Sequence, residues 1–231
     1  LPATCPRPVR VLFYKTESGI WRAAPLDAFQ WLEYGFGGRH ANPPAHPLAT
    51  LDQIHSDIVV CADARTGSLG QGDALVAGQP GVRIGVRTAD CLPILLADPE
   101  RRAIAAVHAG WRGTLLGVAV RAAEAMSRLF GSRPGSLHAA IGPGINACCF
   151  EVGPEVAAQF RNVLPERNDL DRKTRVDLAE ANRRLLAAAG LSLEHIHGGA
   201  PCTCCGAEEF HSWRREGKSA GRMLSVIEIR A

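Results

Sequence analysis

Thr88-Ala89-Asp90-Cys91-Leu92-Pro93 and His108-Ala109-Gly110-Trp111-Arg112-Gly113 enclose two almost wholly apolar segments, residues 92–97 and 103–107, which are separated by Asp98-Pro99-Glu100-Arg101-Arg102. Short apolar runs bounded by turn residues indicate strands buried on both faces, and Pro99 suits the second position of a tight turn. The stretch therefore predicts a hairpin. A turn centred on Pro99 and Glu100 would place Cys91 directly opposite His108, and opposed residues share a face with Cβ atoms about 4.5–5.5 Å apart.

A thiol and an imidazole that meet in this way have three possible roles. With His55, which precedes them in the chain, Cys91 and His108 could hold one zinc or copper ion, because both metals accept His nitrogen and Cys thiolate. Cys91 and His108 alone could act as a nucleophile and its base. The third possibility is a buried core cysteine beside two unrelated histidines, and the spacing by itself does not choose among the three.

Polar residues around the hairpin add candidate roles. Gly110 to Gly113 lead into a helical pattern that starts near Thr114, and a glycine loop before a helix, with the planar donor fork of Arg112, favours an anion site. Asp73 and Asp90 each precede an apolar run. Either carboxylate could act as a general base, orient a histidine ligand or simply cap a turn.

The composition is that of an ordinary globular protein, with 231 residues, 46% of them apolar and 21% charged. We expect a single domain over residues 1–231. The net charge is only +3 and the Lys and Arg residues are scattered along the chain, so nucleic acid is not expected as a partner. No apolar run reaches the roughly 18 residues of a membrane span, so a membrane is not expected either.

The eight cysteines do not resemble a secreted disulfide framework, because a chain of this length can build its own core. Reduced thiols and a cytoplasmic location are therefore expected. Cys202-Thr203-Cys204-Cys205 resembles one half of a zinc ribbon, but no second suitable pair follows it, so no structural metal is predicted there.

The remaining periodicity predicts more strands than helices. Residues 26–34 are expected to form a short helix, 48–61 a strand or hairpin with Gln53 and His55 on one face, and 67–72 a turn. Three-and-four spacing over residues 115–129 predicts a helix capped by Gly131, and Asp177 to Glu180 has the form of a capping box. The fold class is therefore α+β (mixed α/β), with mixed, largely antiparallel sheets flanked by helices.

Several motifs taken together resemble the YfiH-type family, also called laccase-domain proteins, polyphenol oxidoreductases or peptidoglycan editing factors. They are Gln53-Ile54-His55, residues 73–76, 88–93, 108–113, 142–145 and 150–152, Cys202-Thr203, and Phe210-His211-Ser212-Trp213-Arg214-Arg215. Their order matches over roughly residues 34–229. The segment between Arg39 and Gln53 is shorter here than in the family.

This resemblance implies one zinc or copper ion held by His55, Cys91 and His108. It also implies a purine nucleoside phosphorylase that acts on adenosine, inosine and methylthioadenosine, with adenosine deaminase activity besides. The substrates would be a small-molecule nucleoside and phosphate, and Arg39 would match an arginine of the family's glycine-rich N-terminal segment.

Our leading hypothesis is accordingly a metal-dependent nucleoside enzyme. Arg112, with Arg39, Gln53 or Arg214, would bind substrate, while Asp90 or Asp73 would handle the proton. The alternatives are a Cys91/His108 hydrolase that edits peptidoglycan precursors and a copper-dependent polyphenol oxidase. The oxidase ranks below the others, since reducing oxygen by four electrons normally needs several coppers and one site is visible. A metal-stabilised interaction module is the non-enzymatic alternative.

Overall fold

The computed structural model describes residues 12–41, 47–62 and 65–231. The strands of these residues are β1 Phe13–Lys15, β2 Ile20–Ala23, β3 Leu32–Gly37, β4 Ala49–Asp52, β5 Val59–Cys61, β6 Gly67–Gln71, β7 Ala74–Ala77, β8 Arg83–Thr88, β9 Leu92–Asp98, β10 Ala103–Ala109, β11 His138–Ile141, β12 Glu151–Val152, β13 Thr174–Arg175, β14 Ile196–His197 and β15 Met223–Ile229. The α-helices are α1 Trp111–Leu116, α2 Val118–Phe130, α3 Pro154–Ala157, α4 Leu178–Ala188 and α5 Trp213–Glu216.

Most of the strands form two large mixed sheets. The first has the order β1-β2-β3-β15-β8-β4-β6, and the second has the order β14-β11-β9-β10-β7-β5. Antiparallel pairs dominate, while β4 pairs in parallel with β6 and β8, β5 with β7, and β11 with β14. This architecture confirms the predicted fold class.

Alternating side chains of the second sheet feed two separate cores, because successive residues of a strand point to opposite faces. Leu95 and Ile104 face the first sheet, where they pack in one cluster with Ile84 and Ile227. Residues on the other face pack against the helices α2 and α4 in a second cluster, with Ile94, Val107, Met126 and Leu186 among its members. The result is a sheet–sheet–helix stack with every residue of β9 and β10 buried.

The β9–β10 hairpin forms as predicted, but its register is shifted by two residues. His108 lies opposite Pro93 rather than Cys91, and Asp98 lies opposite Ala103. This register makes the turn longer than predicted. The Asp98 carboxylate holds the turn, because it accepts the backbone N–H groups of Glu100 and Arg101 at 2.8 and 3.1 Å. A shift by two residues keeps each side chain on its face, so Cys91 and His108 still meet.

Three predicted elements are wrong. Residues 26–34 form no α-helix, because a short 3-10 helix at Ala24–Ala28 gives way to β3. Residues 48–61 are split between β4 in the first sheet and β5 in the second, which leaves Gln53 and His55 in the connecting loop. Residues 67–71 pair with β4 as a strand, although Gly67 and Gly70 suggested a turn.

The helix ends agree better with the pattern, although Gly117, in the left-handed conformation, breaks the helix predicted over residues 115–129 into α1 and α2. Gly131 caps α2 in the left-handed conformation at φ 71°. The Asp177 carboxylate accepts the backbone N–H of Glu180 at the start of α4, which confirms half of the capping box. The Glu180 carboxylate binds Arg183 and Arg184 instead of completing it. No helix in the described ranges is long and apolar enough to span a membrane.

Candidate metal centre and adjoining cavity

Three elements that are distant in the chain bring His55, Cys91 and His108 together. His55 lies in the loop after β4, Cys91 in the turn between β8 and β9, and His108 on β10. One donor atom from each residue lies within 4.8 Å of the other two, and Cys91 Sγ is 3.9 Å from His55 Nε2. Two imidazoles and a thiol at this separation fit the nitrogen and sulfur ligands that zinc and copper accept in proteins.

The carboxylate of Asp73 organises both histidines from beneath the site. It is fully buried and accepts the backbone N–H groups of Ile54, His55 and Ser56, as well as the Ser56 hydroxyl. These bonds hold His55 at φ 63°, a left-handed conformation that is uncommon for a residue with a side chain. The carboxylate also lies 2.7 Å from His108 Nδ1, so Nδ1 carries the hydrogen and Nε2 is left for a ligand.

The surroundings shift the pKa values of Asp73, His108 and Cys91. Burial alone would raise the pKa of Asp73, but hydrogen bonds from His108 and Ser56 hold it well below its usual range. Burial disfavours a charged His108, yet Asp73 and Cys91 raise its pKa to about 9. Burial also disfavours the Cys91 thiolate, but hydrogen bonds from His108 and His55 lower its pKa to about 7. The cluster therefore favours a thiolate near neutral pH, the form that binds metal or attacks as a nucleophile.

Gly110 lies against Cys91 and His55 and leaves no space for a side chain. A Cβ atom there would be 2.8 Å from Cys91 Sγ and 3.1 Å from His55 Cδ2. The backbone of Gly110 is extended, so the residue is required for close approach rather than for an unusual conformation.

The three residues open onto a cavity of about 590 Å³. Its remaining wall combines four arginines with aromatic and aliphatic side chains and a single acidic residue: Arg87, Arg112, Arg214, Arg222, Trp111, Phe150, Trp213, Leu51, Ile145, Leu178, Gln53, Thr88, Ala89 and Asp90. A cavity of this size with flat aromatic walls suits a small planar molecule, and its excess of guanidinium groups suits an anion.

Of the predicted binding residues, Gln53, Arg112 and Arg214 line this cavity. The Gln53 amide pairs with both the carbonyl and the N–H of Arg87, which ties the His55 loop to β8. The Arg112 guanidinium stacks on the Trp111 ring at 4.3 Å and is exposed. Arg214 donates to the Cys149 carbonyl at 3.1 Å. The helix that follows Gly110 starts at Trp111, and not near Thr114 as predicted.

The structure does not bring Arg39 to the cavity. Its guanidinium forms an ion pair with Glu216 and donates to the Phe210 carbonyl at 3.0 Å, and it is not among the lining residues. Asp73 is also absent from the lining, because it is enclosed beneath the histidines.

Asp90 lines the cavity, but its two oxygens are engaged. They accept the hydroxyl groups of Thr203 and Ser212 and the backbone N–H of Arg214, at 2.6, 3.0 and 2.6 Å. Asp90 itself has φ 87°, so these bonds hold a strained turn immediately before Cys91.

Arg87, Phe150 and Trp213 line the cavity and were not among the predicted site residues. Arg87 is the one exposed position in the otherwise buried strand β8, and only the structure shows that exposure. Phe150, just before β12, and Trp213, the first residue of α5, are far away in the chain, so only the tertiary structure places them here.

The fold and the site define a class of mixed-sheet proteins that carry a cluster of two histidines and a cysteine beside a cavity. Residues 38–230 match the family model described as "Multi-copper polyphenol oxidoreductase laccase". The chain belongs to this laccase-domain family, which confirms the family resemblance of its motifs.

Relatives of the chain carry enzyme names. The chain is 45% identical over 187 residues to a protein of Deinococcus radiodurans named "Purine nucleoside phosphorylase", covering 80% of this chain and 71% of that protein. It is 40% identical over 171 residues to "Adenosine deaminase RL5" from an unknown prokaryotic organism, covering 71% of this chain and 65% of that protein. These names support the prediction that this chain is an enzyme.

A solved structure confirms the fold at lower identity. YlmD from Geobacillus stearothermophilus superposes with a TM-score of 0.86 at 26% identity, and the match covers 95% of this chain and 99% of that one.

Proposed function

We propose that the protein is a metal-dependent purine nucleoside phosphorylase that acts on adenosine, inosine and methylthioadenosine, with adenosine deaminase activity besides. The observation that carries this proposal is the cavity, in which four arginines and three aromatic residues face the His–Cys–His cluster. Phosphorolysis needs a phosphate beside the glycosidic bond, and guanidinium groups bind that anion. The names of the relatives agree with this reaction class.

We assign the metal to His55, Cys91 and His108. When bound, zinc or copper would polarise a substrate oxygen or lower the pKa of a coordinated water. The chain's own contribution is to hold the three donors in place. Asp73 does so by orienting both histidines, and we therefore assign it a positioning role instead of proton transfer, since it cannot reach the cavity.

The cavity wall supplies the other contacts. All four arginines of the lining are exposed, but the guanidinium groups of Arg214 and Arg222 donate to backbone carbonyls. Within the described residues those of Arg112 and Arg87 make no hydrogen bond or ion pair, and we assign phosphate to them. The rings of Trp111, Phe150 and Trp213 offer flat apolar faces on which a purine can stack. Asp90 keeps the turn before Cys91 in shape and carries the Arg214 backbone, so its role in this proposal is also positioning.

The proposal includes a cytoplasmic location, because a thiolate ligand has to stay reduced to bind the metal.

The test is an assay of purified, zinc- or copper-loaded protein with each of the three nucleosides and inorganic phosphate. We expect free base and ribose 1-phosphate (5-methylthioribose 1-phosphate from methylthioadenosine) by chromatography, and inosine and ammonia from adenosine. Arg112→Ala should raise the KM for phosphate, while Arg121→Ala, an exposed arginine of α2 outside the cavity, should leave it unchanged. Metal-loaded protein that leaves all three nucleosides intact would refute the proposal.

A second candidate is supported by the ionisation of the cluster. A Cys91 thiolate beside a charged His108 is also the resting pair of a cysteine hydrolase, here one acting on an amide of a peptidoglycan precursor. His55→Ala separates the two functions. It should abolish phosphorolysis together with metal binding, whereas a Cys–His hydrolase would keep its turnover because His55 has no necessary part in it.

A further inference from the structure

A second cluster of cysteines lies outside the His–Cys–His site. Cys148, Cys149, Cys202 and Cys205 place their Sγ atoms within 4.8 Å of one another. The Cys205 Sγ atom is 3.6 Å from that of Cys148 and 3.4 Å from that of Cys149. Sulfur ligands about 2.3 Å from one tetrahedral zinc ion lie about 3.8 Å apart, so these separations approach those of a tetrathiolate site.

The sequence pattern of this cluster was only half recognisable. Cys202 and Cys205 have the C-x2-C spacing of zinc sites, and no second pair follows them in the chain. The second pair precedes them, since the turn after β11 carries Cys148 and Cys149 to the same place. A parallel bridge between Gly144 and Cys202 joins the two segments.

The surroundings of the cluster suit a negatively charged group. The backbone N–H of Asn146 points at Cys202 Sγ at 3.4 Å, a contact typical of metal-bound thiolates. The guanidinium groups of Arg214 and Arg215 donate to the carbonyls of Cys149 and Cys204 at 3.1 and 2.7 Å. Arg215 is also paired with Glu216 at 2.7 Å, so Arg214 is the cation that would partly offset the negative charge of four thiolate ligands.

We propose that Cys148, Cys149, Cys202 and Cys205 bind a second metal ion, a zinc ion held by four thiolates in a closed site. Binding releases the thiol protons, and the four sulfurs leave no open position for substrate. The ion would therefore be structural. It would join the segments that carry Phe150 and Trp213, which form one side of the cavity. The site stands independently of the proposed phosphorylase activity.

Metal content tests the proposal in the 231-residue chain with the first site disabled. Cys91→Ser protein, purified under reducing conditions and dialysed, should retain one zinc ion per chain by elemental analysis. Cys205 is exposed, so its replacement should be tolerated, and adding Cys205→Ser should remove that ion. Cys204→Ser is the matched control, because this neighbouring cysteine lies outside the cluster and its replacement should leave the zinc content unchanged.

Cobalt gives an independent measurement without a substitution in the cluster. Apo Cys91→Ser protein titrated with cobalt should develop strong near-ultraviolet thiolate-to-metal absorption and the intense visible bands of tetrahedral cobalt, saturating at one equivalent. Dialysed Cys91→Ser protein without zinc or a cobalt spectrum would overturn the proposal, as would an equal loss of zinc in the Cys204 and Cys205 variants. A Cys149–Cys205 disulfide in freshly prepared protein, detected by mass spectrometry after alkylation, would also overturn it by showing a redox pair in place of ligands.

Discussion

Replacing Asp73 by Asn tests how far one buried carboxylate maintains the proposed metal centre. One carboxylate oxygen accepts from His55 N and His108 Nδ1, and the other from Ile54 N, Ser56 N and the Ser56 hydroxyl. An amide keeps a single oxygen, so in either orientation at least two buried or partly buried donors lose their acceptor. Each such loss costs about 1–3 kcal/mol, which gives a destabilisation of about 2–6 kcal/mol.

Metal affinity should fall with stability. Because the lost contacts orient both histidines, we expect zinc affinity to fall about 10- to 100-fold, as for other residues that position a ligand. Urea unfolding of the metal-free protein, followed by tryptophan fluorescence, measures the first effect. Competition of the protein with a zinc indicator measures the second.

Asp98→Asn is the matched control at the other end of the same hairpin. Asp98 is also fully buried, but one oxygen accepts both of its backbone hydrogen bonds and the other has no partner within the described residues. The amide can keep every bond, so a smaller loss of stability and unchanged zinc affinity are expected. Our reasoning about Asp73 fails if its variant keeps wild-type zinc affinity, or if the Asp98 variant loses as much stability.

Two further perturbations follow from the structure. Gly110→Ala should weaken zinc binding, because its Cβ would lie 2.8 Å from Cys91 Sγ, whereas Gly198→Ala, with nothing within 4 Å, should bind zinc normally in the same competition assay. Burial and the neighbouring imidazoles lower the pKa of His138 to about 4, and its ionisable neighbours are His195, His197 and Asp98. Since the unfolded histidine titrates near 6.5, the unfolded chain binds more protons between those values, and stability should fall as the pH is lowered from about 6.5 to about 4. His138→Gln should reduce this fall in urea unfolding across that pH range, and an unchanged slope would contradict the assigned pKa.

Local signals in the sequence were sufficient for much of the fold. The apolar runs that became β9 and β10 leave few alternatives to buried strands, and Gly131 and Asp177 mark helix ends through local backbone chemistry. The mixed-sheet class followed from the count of such elements. The helix predicted over residues 26–34 failed because pairing of β3 with β2 and β15 outweighed local preference.

For the site too, some features could be predicted from the sequence and others could not. The sequence by itself determined that Cys91 and His108 share a face, because a register error of two residues does not change the side of the sheet on which they lie. It also nominated His55 through the chemistry of its side chain and its motif, although the strand predicted for His55 is a loop in the structure.

Only the tertiary structure decided what surrounds these residues. It enclosed Asp73 beneath the histidines, turned Arg39 toward Glu216 and brought Phe150 and Trp213 to the cavity. It also joined Cys148 and Cys149 to a C-x2-C pair far away in the chain. Contacts of this kind depend on how loops close over the sheets, and no local periodicity encodes the distance between two loops.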